Sequence, residues 1–325
     1  MTVEKFASKI LKNNPLKDPY IRDIMVYLPP EYSRSRSKGY VGIIFLQGFG
    51  ANSQSFFNSD PFTENIEDKI NRLIREKKCG PLVLIFPDCF TKLGGNQYIN
   101  SIATGNYEDY IIKEIVPYIR KKYNIACFGA VGHSSGGFGS FTLGMHNPKI
   151  IQGVANHSGD SGFEYCYLPD FPIALTSLME AGGVKKWFKM FWEKQNKKNH
   201  RDFTTLNILA MAAHYSPDEF EEMNIKLPFD LNSGEFLGKV WKKWCEWDPV
   251  KKIHKFKANL KELKYLYIDC GTKDEFNMNI GANLIHKKLT SYQVIHYYEE
   301  FNGGHRNTSY RFDISIPKLY DALTQ

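Results

Sequence analysis

Short apolar runs closed by turn residues, with amphipathic stretches between them, set the pattern of this chain. Ile24–Leu28 reads as a strand ended by Pro29-Pro30, and Val41–Leu46 as a second, closed by Gly48-Phe49-Gly50. Leu82–Phe86 stops at Pro87-Asp88, and Ala126–Val131 runs into Gly132. Ile151–Ala155, Tyr265–Ile268 and Val294–Tyr298 are three further runs. Runs that are apolar throughout, rather than alternating with polar residues, suit strands buried on both faces, as in parallel sheets. Between them, Ile66, Ile70, Leu73 and Ile74 predict a helix over Ile66–Glu76. Tyr110, Ile111, Ile115 and Ile119 predict another over Tyr107–Tyr123, and a small-residue helix begins around Gly136. Strands alternating with helices predict an α/β fold, its mostly parallel central sheet carrying helices on both faces.

The alternation breaks between about residues 163 and 253. The patterns there are helical, over Ile173–Glu180, Val184–Lys194, Thr204–His214 and Gly238–Trp247. Every tryptophan lies in this stretch: Trp187, Trp192, Trp241, Trp244 and Trp247. It is expected to be a helical cap insertion over the sheet's carboxyl edge, within a single domain spanning residues 1–325. Packing the insertion onto the main domain is the expected role of these aromatics, with lining a substrate cleft as the functional alternative.

Composition narrows the classes. Hydrophobic residues make up 42% and charged residues 24%, enough to bury a sizeable core and to exclude a disordered chain. The net charge of +7 comes mostly from lysines spread singly, with short runs such as Lys197-Lys198 and Lys242-Lys243. No nucleic-acid motif accompanies them, so the excess reads as solvated surface and no nucleic-acid partner is expected. The six cysteines form no C-x-x-C pair and have no metal-ligand spacing, as reduced, mostly buried thiols would. Met1–Pro15 carries charges every few residues without a long apolar segment, and no stretch is long enough to span a bilayer. The expected address is cytoplasmic, without a membrane partner. An oligomeric state is not specified by the sequence, and a homodimer is compatible with it.

The candidate chemistry starts at Gly132-His133-Ser134-Ser135-Gly136-Gly137, which satisfies G-x-S-x-G between a strand and a helix. A strand turning sharply into a helix strains the serine, and small neighbours let the turn close. Ser134 holds the central position and is the expected nucleophile. Its hydroxyl needs a base, and in this arrangement the partners follow as acid, then histidine, each on a loop after a later strand. Asp269, Asp274 and Glu275 follow the strand Tyr265–Ile268; Asp274, beyond the glycine-containing loop, is the favoured acid. Phe301-Asn302-Gly303-Gly304-His305 follows the last strand, and His305 is the expected base. His133 is expected to point away at the turn and to be structural, and His157 and His214 to be core or surface histidines. Donors for an oxyanion should be the backbone N–H of Ser135 and that of Phe49, with Gly50 the close alternative. No H-E-x-x-H, clustered ligands or phosphate loop suggests a metal or nucleotide cofactor.

At this point the chain resembles the esterase family of α/β-hydrolases that includes esterase D/S-formylglutathione hydrolase, enterochelin esterase, feruloyl esterase domains and mycolyltransferases. The resemblance rests on Met25-Val26-Tyr27-Leu28-Pro29-Pro30 with Tyr32, Leu46-Gln47-Gly48, and Phe86-Pro87-Asp88. It continues with Tyr107-Glu108-Asp109-Tyr110, Pro117-Tyr118, Gly132–Gly137, Ser158-Gly159 and Gly303-Gly304-His305. It implies an α/β-hydrolase fold and a serine esterase working through an acyl-enzyme, with Ser134, Asp274 and His305 as nucleophile, acid and base. Gln47 stands where members often carry histidine, and the insertion is longer than in the smallest members. The expected substrate is a small carboxylic ester or thioester. An acyltransferase using the same three residues is the alternative enzyme, and a non-catalytic binding protein of the same fold the alternative outside enzymes.

Overall fold

Continuous apolar runs become central strands because each of their faces meets a helix. In the computed structural model, which describes residues Met1–Gln325, eight strands form one sheet. They are β1 (Thr2–Ala7), β2 (Ile21–Tyr27), β3 (Tyr40–Leu46) and β4 (Leu82–Pro87). The others are β5 (Ile125–His133), β6 (Ile151–His157), β7 (Tyr265–Gly271) and β8 (Tyr297–Phe301). The order is β1-β2-β4-β3-β5-β6-β7-β8, parallel from β4 onward, with β2 antiparallel to both β1 and β4. Every residue of β3, β4 and β7 is buried. The helices Ile66–Arg75 and Phe312–Thr324 enclose the smaller core on one face. The larger core holds Tyr107–Tyr123, Ser135–His146, Met278–Ser291 and much of the segment between β6 and β7. This is the mostly parallel, doubly covered sheet of an α/β-hydrolase.

One strand expectation needs correction, and one strand was missed. The run Val294–Tyr298 is not the last strand, which lies three residues later at Tyr297–Phe301. Val294 instead seals the end of the helix Met278–Ser291: its N–H donates to Leu289 O at 2.9 Å, after Gln293 at φ 55°. β1 gave no apolar run because it is an edge strand with an alternating, half-exposed pattern. The helix over Tyr107–Tyr123 is continuous but widens to a π turn at Tyr110–Ile115. The widening lies just ahead of Pro117, which has no N–H to give Lys113 and whose ring would strike that carbonyl in a regular α-helix.

Between β6 and β7 run the helices Phe171–Ala181, Val184–Glu193, His200–Tyr215, Gly238–Cys245 and Pro249–Glu262. The expected boundary at residue 253 falls inside the last of these. Trp244 is fully buried among Tyr167, Phe171, Tyr215 and Trp241, and its indole N–H donates to Ser216 Oγ at 2.7 Å. Trp192 is partly exposed and donates to Lys92 O at 3.1 Å. No helix is long and apolar enough to cross a membrane.

Candidate active site

The carboxyl ends of β3, β5, β6, β7 and β8 bring five loops to one sheet edge, where open α/β sheets place their ligands. Ser134 follows β5 directly, at φ 58° and ψ −125°, a conformation that costs a non-glycine residue energy and persists only where the surroundings enforce it. Its N–H donates to His157 O and its carbonyl accepts from Phe138, both at 2.9 Å. The motif's glycines are required by approach: a Cβ on Gly132 would overlap the Gly136 backbone, and one on Gly136 the Leu46 carbonyl. Ser135 is the first residue of the helix Ser135–His146, so its N–H has no intrahelical acceptor.

The loop after β3 lies against this turn, since a Cβ on Gly48 would meet Ser134 Cβ at 3.4 Å. Tyr98 fixes it by donating its hydroxyl to Gln47 O at 2.6 Å. Of the two N–H groups weighed there, that of Gly50 is spent on Gly94 O at 2.8 Å, whereas that of Phe49 meets no protein acceptor. The Phe49 ring packs edge-on to Phe203 of the helix His200–Tyr215, 5.3 Å between centroids.

Three acids near the end of β7 take three separate positions. Asp274 Oδ2 accepts from His305 Nδ1 at 2.7 Å, while Oδ1 accepts from the N–H groups of Phe276 at 3.0 Å and Met278 at 3.3 Å. Burial pushes the Asp274 carboxyl up, but His305 and the two N–H donors outweigh it and hold it below its ordinary value. Glu275 Oε2 accepts the backbone N–H of His305 at 2.5 Å, which holds that carboxyl down too. Asp269 is turned elsewhere, toward His157 Nδ1 at 2.7 Å and Arg311 Nε at 2.8 Å.

His133 is structural, as expected, but its direction is not the expected one. Its ring does not point away: it lies 4.5 Å from the His305 ring, and Nε2–H donates to His305 O at 2.8 Å. Burial drives its pKa down to about 3, so it is a neutral donor that supports the backbone of His305. His157 is a buried core histidine, bonded through Nε2 to Ser315 Oγ at 2.9 Å. His214 is buried as well, and burial lowers it to about 4.

No hydrogen bond joins Ser134 to His305; the serine Oγ lies instead 3.5 Å from Asp160 Oδ1. Asp160, just beyond β6, is buried, and its other oxygen accepts from Tyr167 OH at 2.7 Å and from Gln97 Nε2 and Ser135 Oγ, each at 3.1 Å. Burial raises its pKa against the pull of those donors. Sequence reasoning missed both Asp160 and Gln97. The available signal for Asp160 was a carboxylate directly after Ser158-Gly159 at a strand's carboxyl end; Gln97 carried none.

A model of the family described as "Putative esterase" matches residues 21–318. No curated protein matches the chain by sequence. Among solved structures it is similar to a ferulic acid esterase, with 16% identity, TM-score 0.62, and 99% of this chain and 97% of that one covered. It is similar to a fluorophosphonate-binding serine hydrolase of Staphylococcus aureus at 17% identity and TM-score 0.59, covering 100% and 98%. An S-formylglutathione hydrolase from Agrobacterium tumefaciens aligns at 13% identity and TM-score 0.57, covering 99% and 94%.

Proposed function

Since the chain belongs to this esterase family and is a carboxylic ester hydrolase, we propose that Ser134 is its nucleophile, His305 its general base and Asp274 the acid that orients the base. The observation carrying this reading is the 2.7 Å bond from His305 Nδ1 to Asp274, on loops that share the sheet edge with the strained Ser134 turn. With Nδ1–H committed to Asp274, Nε2 is the ring's free acceptor. Rotation of the Ser134 side chain carries Oγ from Asp160 to Nε2; such bonds are commonly loose before substrate binds.

Oγ then attacks the carbonyl carbon while its proton passes to Nε2. The oxyanion is met by the N–H groups of Phe49 and Ser135, both free of protein acceptors. The bond to the leaving alcohol or thiol breaks, and His305 returns the proton to it. Water repeats the sequence on acyl-Ser134, giving its proton to Nε2 and releasing the acid as Ser134 Oγ is reprotonated. The substrate is a small carboxylic ester or thioester. Supporting a small acyl group is the closeness of the helix His200–Tyr215, whose Phe203 sits on Phe49 of the oxyanion loop.

Hydrolysis of p-nitrophenyl acetate and butyrate by the wild type and by Ser134→Ala tests the assignment. Turnover in the wild type and its near-complete loss in a folded variant is the expected result. Equal activity in both proteins would reject Ser134, and cleavage of amide bonds alone would reject the substrate class.

A further inference from the structure

The proposed steps use Ser134, His305, Asp274 and two backbone N–H groups, leaving Asp160 beside the nucleophile without a task. Its two oxygens are unequally served. Tyr167, Gln97 and Ser135 all donate to Oδ2, whereas Oδ1 has the Ser134 hydroxyl at 3.5 Å, the outer limit of a hydrogen bond. None of these partners is cationic; His305, whose charge reaches Asp160 through space, spends its Nδ1 on Asp274 and makes no hydrogen bond to Asp160. Gln97 Oε1, in the same cluster, is a second buried acceptor with no donor. Tyr167, which bonds Asp160, packs into a buried aromatic cluster with Phe163 and Tyr215, so the local dielectric is low and an unanswered carboxylate is costly. A buried carboxylate with a spare oxygen, touching the nucleophile, suits a substrate that brings its own positive donor.

We propose that Asp160 recognises an ammonium group on the acyl part of the ester, carried on the carbon next to the carbonyl or on the one beyond it. The short separation of the two oxygens suits this position. A charge-assisted bond holds the nitrogen about 2.8 Å from Oδ1. The carbonyl carbon sits about 3 Å from Ser134 Oγ when attack begins. With Oδ1 and Oγ only 3.5 Å apart, a nitrogen two or three bonds from the carbonyl carbon reaches Oδ1 while that carbon stands at Oγ. As the ammonium takes Oδ1, it displaces the Ser134 hydroxyl, which is then free to turn to His305. Substrate binding and nucleophile activation are thereby joined.

The inference rests on Ser134 being the nucleophile, and the test separates the two. Ethyl esters of glycine, glycolate and propionate differ only in ammonium, hydroxyl or methyl on the α carbon; β-alanine and butyrate esters repeat the contrast one carbon out. Each kcat/KM is divided by the same ester's hydroxide rate, at a pH where the amines are protonated. The expected wild-type preference for at least one ammonium ester over its methyl isostere is roughly tenfold or more. Asp160→Asn, whose amide oxygen can keep the three donors while its NH2 faces Ser134, should bring that ratio close to one. The ratio is the readout, so a uniform loss of rate in the variant that leaves the preference intact would overturn the proposal. A wild-type ratio near one, or a glycolate ester favoured as strongly as glycine, would overturn it as well. Ser134→Ala turning over all five esters like the wild type would instead sink the reading beneath it.

Discussion

Asp274→Asn changes one atom, and the structure fixes which way round the new amide sits. Oδ1 of Asp274 accepts two backbone N–H groups, from Phe276 and Met278. An NH2 group at that position would lose both bonds and leave buried donors unpaired, at about 1–3 kcal/mol for each. The amide oxygen therefore stays there, and the NH2 takes the place of Oδ2, facing His305 Nδ1 2.7 Å away. Nδ1 must then accept, which moves the ring proton to Nε2 and removes the acceptor that Ser134 needs. The expected loss in kcat is about 10³- to 10⁴-fold, or about 4–5.5 kcal/mol, with KM little changed. Asp274→Ala also loses the orienting bond, but no amide forces the tautomer, so it should keep at least about tenfold more activity than the asparagine variant. Steady-state hydrolysis of p-nitrophenyl acetate, with thermal unfolding to confirm the fold, measures both. An asparagine variant within tenfold of wild type, or no more impaired than alanine, would refute the tautomer argument.

Two other expectations concern stability. Gly136→Ala places a methyl against the Leu46 carbonyl, where backbone rather than a flexible side chain would have to move, and should cost more than about 3 kcal/mol. Gly238→Ala, with nothing within 4 Å at the start of its helix, should be neutral or gain up to about 1 kcal/mol; equal melting temperatures for the two variants would contradict the packing account. Asp274 and Asp269 are pushed up by burial but held lower still, by His305 and by His157 with Arg311 respectively, so their folded values lie below those of the unfolded chain. Below about pH 4 the unfolded state binds more protons. The stability these carboxylates supply is thus present above that pH and lost as pH falls through their folded values. Urea midpoints from pH 6 to 2 should decline accordingly, and Arg311→Met should flatten the decline; a midpoint that rises on acidification would count against it.

Much of the sheet was legible because burial on both faces writes itself into consecutive residues. The strands at 21–27, 40–46, 82–87, 125–133, 151–157 and 265–271 all announce themselves as apolar runs. The edge strands did not: β1 has one exposed side, and near β8 the stronger apolar signal, Val294, belongs to a helix end. The serine turn was equally local, since Gly132 and Gly136 must be glycine for strand, serine and helix to close on one another within five residues. Sequence alone therefore determined the α/β architecture and where a strained serine would stand. Only the tertiary structure decided which of three neighbouring acids meets the His305 ring, which loop N–H is left free, and that His133 supports the His305 backbone. It also brought Gln97, Asp160, Tyr167 and Met211 together around Ser134 and Ser135. Those choices depend on side chains from distant segments competing for the same few donors and acceptors, and that competition exists only once the chain has folded.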